Sequence, residues 1–211
     1  MEKIVQSESL EDRAYNEIKK AIIRGDFNPG DPLPEETVAS LLGISRTPIR
    51  KAIARLAYDG LLSQEKGKMA RVSVISGQDF QHYIKLRKVL EVFAAEEAAT
   101  LVTDKTISLL EVLMQSQKKA IEDNDMYMYI DLDSQFHLKI AEISGNNKLQ
   151  DFIEQINNQL TRYLVLSGKL SESVEKAYEE HLKIIEALKE RDAQKAGEAI
   201  YLHINNVERR S

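Results

Sequence analysis

The sequence predicts a mainly α-helical chain in two parts, a winged helix-turn-helix domain over 1–76 and an antiparallel all-helical bundle over 77–211. Three observations point there. Two short helical patterns meet across only Gly43, Ile44 and Ser45. The apolar period then changes from helical to two over 61–74, around a basic turn with a glycine. Beyond Asp79 every segment is helical in period, and the breaks between segments are short and polar.

Leu10–Arg24 reads as a first helix, with Ala14, Ile18, Ala21 and Ile22 on its apolar face. Gly25–Pro32 is dense in glycine, proline and aspartate and reads as a loop. Pro34–Leu42 is a second helix, with Val38, Leu41 and Leu42 inward and Gly43 closing it. The third runs from Arg46 towards Gly60. Ile49, Ile53 and Leu56 give it one apolar face, Ser45 is its N-cap, and Pro48 falls in the first turn, where the missing N–H costs nothing. Arg46, Thr47 and Arg50 crowd its N-terminal end away from the apolar stripe, as phosphate binding and guanine reading both require. Two short helices joined this tightly form a helix-turn-helix. The strand-like runs 61–64 and 70–74 around Glu65-Lys66-Gly67-Lys68 make a hairpin, the wing, with Lys68 as a phosphate contact.

Gly77–Asp79 reads as a hinge. Six helices follow, over 79–102, 106–123, 126–144, 148–168, 172–191 and 193–210. They share no sequence period, so they are a bundle and not a solenoid.

Charge is unevenly placed. The net charge is −5. Residues 1–76 carry 12 Lys+Arg against 11 Asp+Glu, and 77–211 carry 17 against 23; within 44–71 the balance is 7 to 2. A basic patch on an acidic protein is the footprint of a local DNA contact. There is no cysteine, which excludes disulfides and thiolate metal sites. Met1–Arg13 has no apolar core of a signal peptide, and no run approaches a membrane span. The expectation is a cytoplasmic protein with no membrane partner.

The bundle carries four polar residues on apolar stripes. Asp133 and His137 follow Ile130 and precede Ile140 at spacings of three, four and three. His181 sits within the stripe Val174, Tyr178, Ile185, Leu188, and His203 within Ala196, Ile200, Val207. A single inward histidine is usually a hydrogen-bonded core residue, but an inward unpaired carboxylate is costly. Three imidazoles and a carboxylate suit a divalent transition metal: zinc, nickel, manganese or iron rather than calcium. His82, beside the hinge, belongs to no such pattern and reads as surface or packing.

Residues 10–75 resemble the N-terminal domain of the GntR family of bacterial transcription regulators. The resemblance is carried by Gly43-Ile44-Ser45-Arg46-Thr47-Pro48-Ile49-Arg50-Lys51-Ala52-Ile53, by Asp59-Gly60-Leu61-Leu62 and by Gly67. It implies that Arg46 and Arg50 contact bases, Thr47 the backbone, and Gly67 the wing site; Ser45, the N-cap, is counted with these DNA-binding residues. Glu36 and Met69 stand where some relatives carry an arginine and a second wing glycine. Residues 79–210 are similar to the FCD effector domain of the FadR subfamily, through Leu86-Arg87-Lys88-Val89-Leu90-Glu91 with Ala94-Ala95, Asp133-Ser134-Gln135-Phe136-His137, Ser144-Gly145-Asn146, Glu180-His181 and His203. That resemblance implies that Asp133, His137, His181 and His203 are metal ligands and that small carboxylates bind at the metal. Arg87 is either the partner of such an acid or the ion-pair partner of Glu91 on its own helix; Asn157 is a bundle amide able to hold the acid's far end.

The expected function is a ligand-responsive transcription regulator, a repressor, acting as a homodimer on a palindromic double-stranded operator. Two alternatives stay open: a regulator that senses the metal itself, and a metalloenzyme, for which no general base or nucleophile accompanies the site.

Overall fold

The computed structural model describes residues 8–65, 67–168 and 174–211. The first seven residues, Lys66 of the wing turn, the break at Lys169 and the expected helix start at Glu172 lie outside these. The chain divides into two compact units, Met1–Ser76 and Gly77–Ser211.

In the first unit, α1 (Leu10–Arg24) opens at Ser9, whose hydroxyl accepts from the Asp12 backbone N–H, and ends at Gly25 in the left-handed region. Helix α2 (Glu35–Leu42) is followed by Gly43 at φ 66°, a conformation costly for any residue with a Cβ, and the chain turns directly into α3 (Arg46–Tyr58). Ser45 occupies the N-cap position of α3 with extended backbone, but its side chain makes no capping hydrogen bond. The hydroxyl expected to cap the helix is therefore exposed and unused, beside Arg46 and Thr47. Ile49, Ala52, Ile53 and Leu56 of α3 are fully buried against Ile18 and Ile22 of α1, Val38 of α2 and Leu33.

The wing is shorter than the sequence pattern: β1 (Leu62–Ser63) pairs antiparallel with β2 (Arg71–Val72), Leu62 opposite Val72. The Gly25–Pro32 loop adds a third edge, through a bridge between Pro32 and Arg71, with Val72 N–H donating to Asp31 and Leu33 N–H to Ala70. Breaker-rich sequence hides this pairing, because proline at a sheet edge needs no ladder donor.

The second unit is a bundle of α4 (Gly77–Leu101), α5 (Asp104–Glu122), α6 (Met126–Ile143), α7 (Asn147–Ser167), α8 (Val174–Lys189) and α9 (Ala193–Arg210). Gly77–Asp79 is helical, the first turn of α4, where glycine loses no intrahelical donor and Asp79 meets the positive end of the helix dipole. Helix α5 begins two residues before the expected Thr106, because Thr103 and Thr106 cap each other's backbone N–H groups. α4 packs along α9, α7 and α6, while α5 and α9 lie against α8. Phe80, Ile84, Leu110, Phe136, Leu160, Ile184 and Ile200 fill the centre. Among the described residues no helix is long and apolar enough to cross a membrane.

Candidate metal centre and nucleic-acid interface

Asp133 and His137 leave α6 one turn apart, His181 comes from α8 and His203 from α9. All three histidines are buried, and one ring nitrogen of each lies within 4.8 Å of the others. The ring centroids are 4.6–5.2 Å apart, and Phe136 stacks on His181 at 4.4 Å. Asp133 Oδ1 is 3.6 Å from His181 Nε2 and Oδ2 4.0 Å from His137 Nε2. Its side chain is 26% exposed, so Asp133 is not the fully buried carboxylate the helical stripe suggests; it sits at the edge of a cavity.

The outer nitrogens decide the chemistry of the inner ones. Glu91 Oε2 lies 2.8 Å from His137 Nδ1, Glu180 Oε2 2.9 Å from His203 Nδ1, and Gln117 Oε1 3.2 Å from His181 Nδ1. An ionised carboxylate or an amide oxygen only accepts, so Nδ1 of His181 and of His203 carries the proton and their Nε2 atoms present lone pairs, while His137 Nδ1 meets Glu91 at ion-pair distance without hydrogen-bond geometry. His137 Nε2 and His181 Nε2 are buried without a hydrogen-bond partner. Two orphaned basic nitrogens in a dry core are costly unless something electrophilic meets them. With the tautomers held by carboxylate and amide partners, the donor set fits a divalent cation bound by nitrogen and oxygen.

Electrostatics agree. Burial, followed by the charges of His203, His137 and Arg87, pushes the His181 pKa well below its usual value. His203 falls to about 4, because burial outweighs the hydrogen bond to Glu180. Both rings are therefore neutral and ligand-competent near pH 7. Burial alone would raise Glu91, but Arg87 and His137 beside it hold its carboxyl far below the usual range. For Glu180 burial is likewise overcome, by hydrogen bonds from Arg210, His203 and Asn206, to about 2.

Arg87 is the ion-pair partner of Glu91 on its own helix, and it also borders a cavity. Its Nε donates to Glu91 Oε1 at 2.8 Å, and the side chain, only 7% exposed, also lines the cavity. That cavity, of about 40 Å³, is bordered by Arg87, Tyr129, Asp133, Thr161, His203 and Arg210. It has room for a few water-sized groups. Asn157 is not part of it. The residue is buried on α7, its amide without a partner, one turn before the lining residues Leu160 and Thr161.

The structure adds Glu91, Gln117, Glu180 and Arg210 to the surroundings of the histidine cluster. Gln117 had a readable signal, since it follows Ile107, Leu110 and Met114 on the apolar stripe of α5 and is fully buried. Glu180 and Arg210, largely buried at 13% and 19% exposure, sit off the apolar stripes of their helices, so only their convergence marks them.

In the first unit, Ser45, Arg46, Thr47 and Arg50 are exposed together at the N-terminal end of α3. Lys51 and Arg55, further along, are tied to Glu11 and Asp12 of α1. Gly67, at φ 78°, and Lys68 form the exposed wing turn, where Lys68 pairs with Glu65.

Comparison with known proteins matches this architecture along nearly the whole chain. Residues 10–72 match the model described as bacterial regulatory proteins, gntR family, and residues 82–206 match the FCD domain. The chain is 29% identical to the HTH-type transcriptional regulator YdhC of Bacillus subtilis, covering 91% of this chain and 86% of that one. It is 26% identical to the HTH-type transcriptional repressor RspR of Escherichia coli, covering 95% and 88%, and 29% identical to the repressor NanR of Salmonella newport, covering 94% and 84%. Among solved structures, Escherichia coli McbR/YncC superposes with a TM-score of 0.85 at 25% identity, over 95% of this chain and 96% of that one. These relatives are transcription regulators, not enzymes, which sets the metalloenzyme reading aside. The chain belongs to the GntR family of bacterial regulatory proteins and is a transcription regulator with an FCD domain behind its winged helix.

Proposed function

We propose that the protein is a cytoplasmic repressor whose grip on a double-stranded operator is set by a small organic acid bound at a divalent metal in the bundle. In this reading residues 1–76 are the DNA-binding domain and 77–211 the effector domain. The single observation that carries it is the cluster of three buried imidazoles, each with Nδ1 within 3.2 Å of a protein oxygen and with one ring nitrogen of each converging beside Asp133. His137, His181, His203 and Asp133 hold the metal, zinc by the preference of such ligand sets, with nickel, manganese and iron able to replace it. The metal supplies a net positive charge and exchangeable positions for an anion. Arg87 supports the effector half: Nε is committed to Glu91, while the guanidinium lines the same cavity as Asp133 and His203. A carboxylate there meets a bidentate cation. The cavity size favours acids of a few carbons.

On the DNA side, Arg46 and Arg50 read base edges, Ser45 and Thr47 contact the backbone, and Gly67 and Lys68 bring the wing to a phosphate. One winged helix makes too few contacts for a specific site, so two copies act on a palindrome as a homodimer. Leu86, Val89 and Phe93 form an exposed apolar stripe on α4, 52%, 69% and 47% exposed, and a second copy covers it. Ligand control requires the acid to prefer one arrangement of the bundle over another; tight binding alone shifts nothing.

A second reading, in which the metal is itself the signal, shares the same buried ligands. DNA affinity measured on metal-stripped protein, then with metal, then with metal plus lactate, malate or citrate, separates the two. Release that requires the acid supports effector control; release by metal alone supports metal sensing.

A further inference from the structure

Arg50 is an exposed guanidinium on the reading face of α3, yet it is held. Its Nε donates to both carboxylate oxygens of Glu35, at 3.0 and 3.1 Å, and Nη2 donates to Oε2 at 2.9 Å. Glu35 is the first residue of α2, so the pair ties the two helices of the motif together. The Arg50 side chain is 70% exposed and Glu35 only 28%, so the carboxylate is set back and the guanidinium reaches out over it. The hydrogen bond to Arg50 lowers the pKa of Glu35, and Arg46 adds to that shift, so the carboxylate is charged wherever DNA is bound. Arg46, one turn earlier, is exposed and acts on Glu35 only through its charge.

A guanidinium has five N–H donors in a planar fork. Glu35 takes the side-on edge, Nε–H and one Nη2–H. The end-on edge, one N–H from each terminal nitrogen, stays open, and two parallel donors of that kind match O6 and N7 of guanine. The same carboxylate that aligns this edge also repels phosphate. Glu35 thus acts in opposite directions on the two components of DNA binding.

We propose that Glu35 is a positioning residue that fixes the end-on edge of Arg50 for guanine, raising base discrimination while lowering affinity for DNA of any sequence. The inference rests on the reading of Arg50 as a base contact. It identifies the base class as guanine and the discriminating unit as the Glu35–Arg50 pair rather than the arginine alone.

The test uses the full-length chain and a duplex that it selects from a randomised pool. Affinity is measured for that duplex, for the same duplex with each G·C pair inverted in turn, and for unselected DNA. Glu35→Gln should bind unselected DNA a few-fold more tightly and lose about tenfold in discrimination at one G·C pair per half-site. In an Arg50→Ala background, Glu35→Gln should cost no further discrimination at that pair. Glu35→Asp keeps the charge but is too short to reach, so it should lose discrimination without gaining affinity for unselected DNA. Equal thermal midpoints verify that α2 persists in each variant. Unchanged or improved discrimination in both Glu35→Gln and Glu35→Asp would overturn the proposal and make Glu35 a mere competitor for Arg50. Unchanged discrimination in Arg50→Ala alone would instead remove the base-reading role of Arg50, a separate outcome.

Discussion

Glu180 Oε2 lies 2.9 Å from His203 Nδ1, and Arg210 grips both oxygens of that same carboxylate, at 2.8 and 2.9 Å. A candidate ligand histidine, its tautomer-setting acid and the cation that keeps that acid charged therefore form one chain across α8 and α9. Glu180→Gln retains the size and an oxygen acceptor but removes the charge. We expect a 10- to 100-fold loss of metal affinity, read by competition with a chromogenic chelator. Unchanged affinity would show that Glu180 serves the fold alone.

Acid should weaken the metal-free protein over a defined window. The folded pKa of His203 is about 4 against an ordinary value of 6.5, so between these values the unfolded chain binds a proton that the folded one refuses. Stability is intact above about pH 6.5 and falls as pH drops towards 4, by on the order of 3 kcal/mol for this group. His181 acts in the same direction. Glu180, lowered to about 2, contributes stability above its ordinary 4.5 that is lost as pH falls through about 2. Urea midpoints between pH 7.5 and 4, with proton uptake on unfolding measured by calorimetry, check the sign.

Metal removal should lower the melting temperature. Two buried Nε2 atoms lose the group that satisfies them, and a ligand that binds only the folded state stabilises it by RT ln(1 + [L]/Kd). At a free metal level 100 times Kd this is about 2.7 kcal/mol. Equal melting temperatures for stripped and loaded protein at pH 7.5 would count against the centre.

Effector binding should depend on Arg87 and His181 together. Arg87→Ala removes one of the cavity's two guanidinium groups and leaves Glu91 without its ion-pair partner, so its effect combines both. Arg87→Lys keeps the charge without the fork and isolates the bidentate part. Calorimetry with lactate, malate and citrate should show weaker binding to Arg87→Lys and none to His181→Ala. Binding of wild-type strength to both variants would place the acid elsewhere.

Replacing Val89 and Phe93 together by aspartate should convert the dimer to monomer in sedimentation and reduce operator affinity by more than either half-site contact alone. Both side chains are exposed on α4, so the folded bundle tolerates the change. A dimer that survives would move the interface to another face.

Much of the architecture is local and was therefore readable. Periodicity over ten or more residues reports which face of a helix is buried, because only burial makes the pattern regular. The α3 stripe Ile49, Ile53, Leu56 and its exposed arginines, the close α2–α3 turn at Gly43 and the six helices of the bundle are all of this kind. The inward histidines are too, since an imidazole on an apolar stripe must point into the core. Even Gln117 could have been found by that rule.

What periodicity cannot give is the partner. Glu91, Glu180, Glu35 and Arg210 are ordinary charged residues on ordinary helices, and their roles come from residues 15 to 46 positions away, brought within 3 Å by packing. Asp133 looked buried because its helix face is apolar, but the neighbouring helices leave a cavity beside it. Asn157 shared a face with the cavity wall and still missed the cavity by one turn. The sequence by itself determined the helices, their inward faces and the residue types available for chemistry, because each depends on spacing along one element. Only the tertiary structure decided which nitrogens carry protons, which carboxylates hold them and which arginine edge stays free, because those follow from distances of 3 Å between different helices.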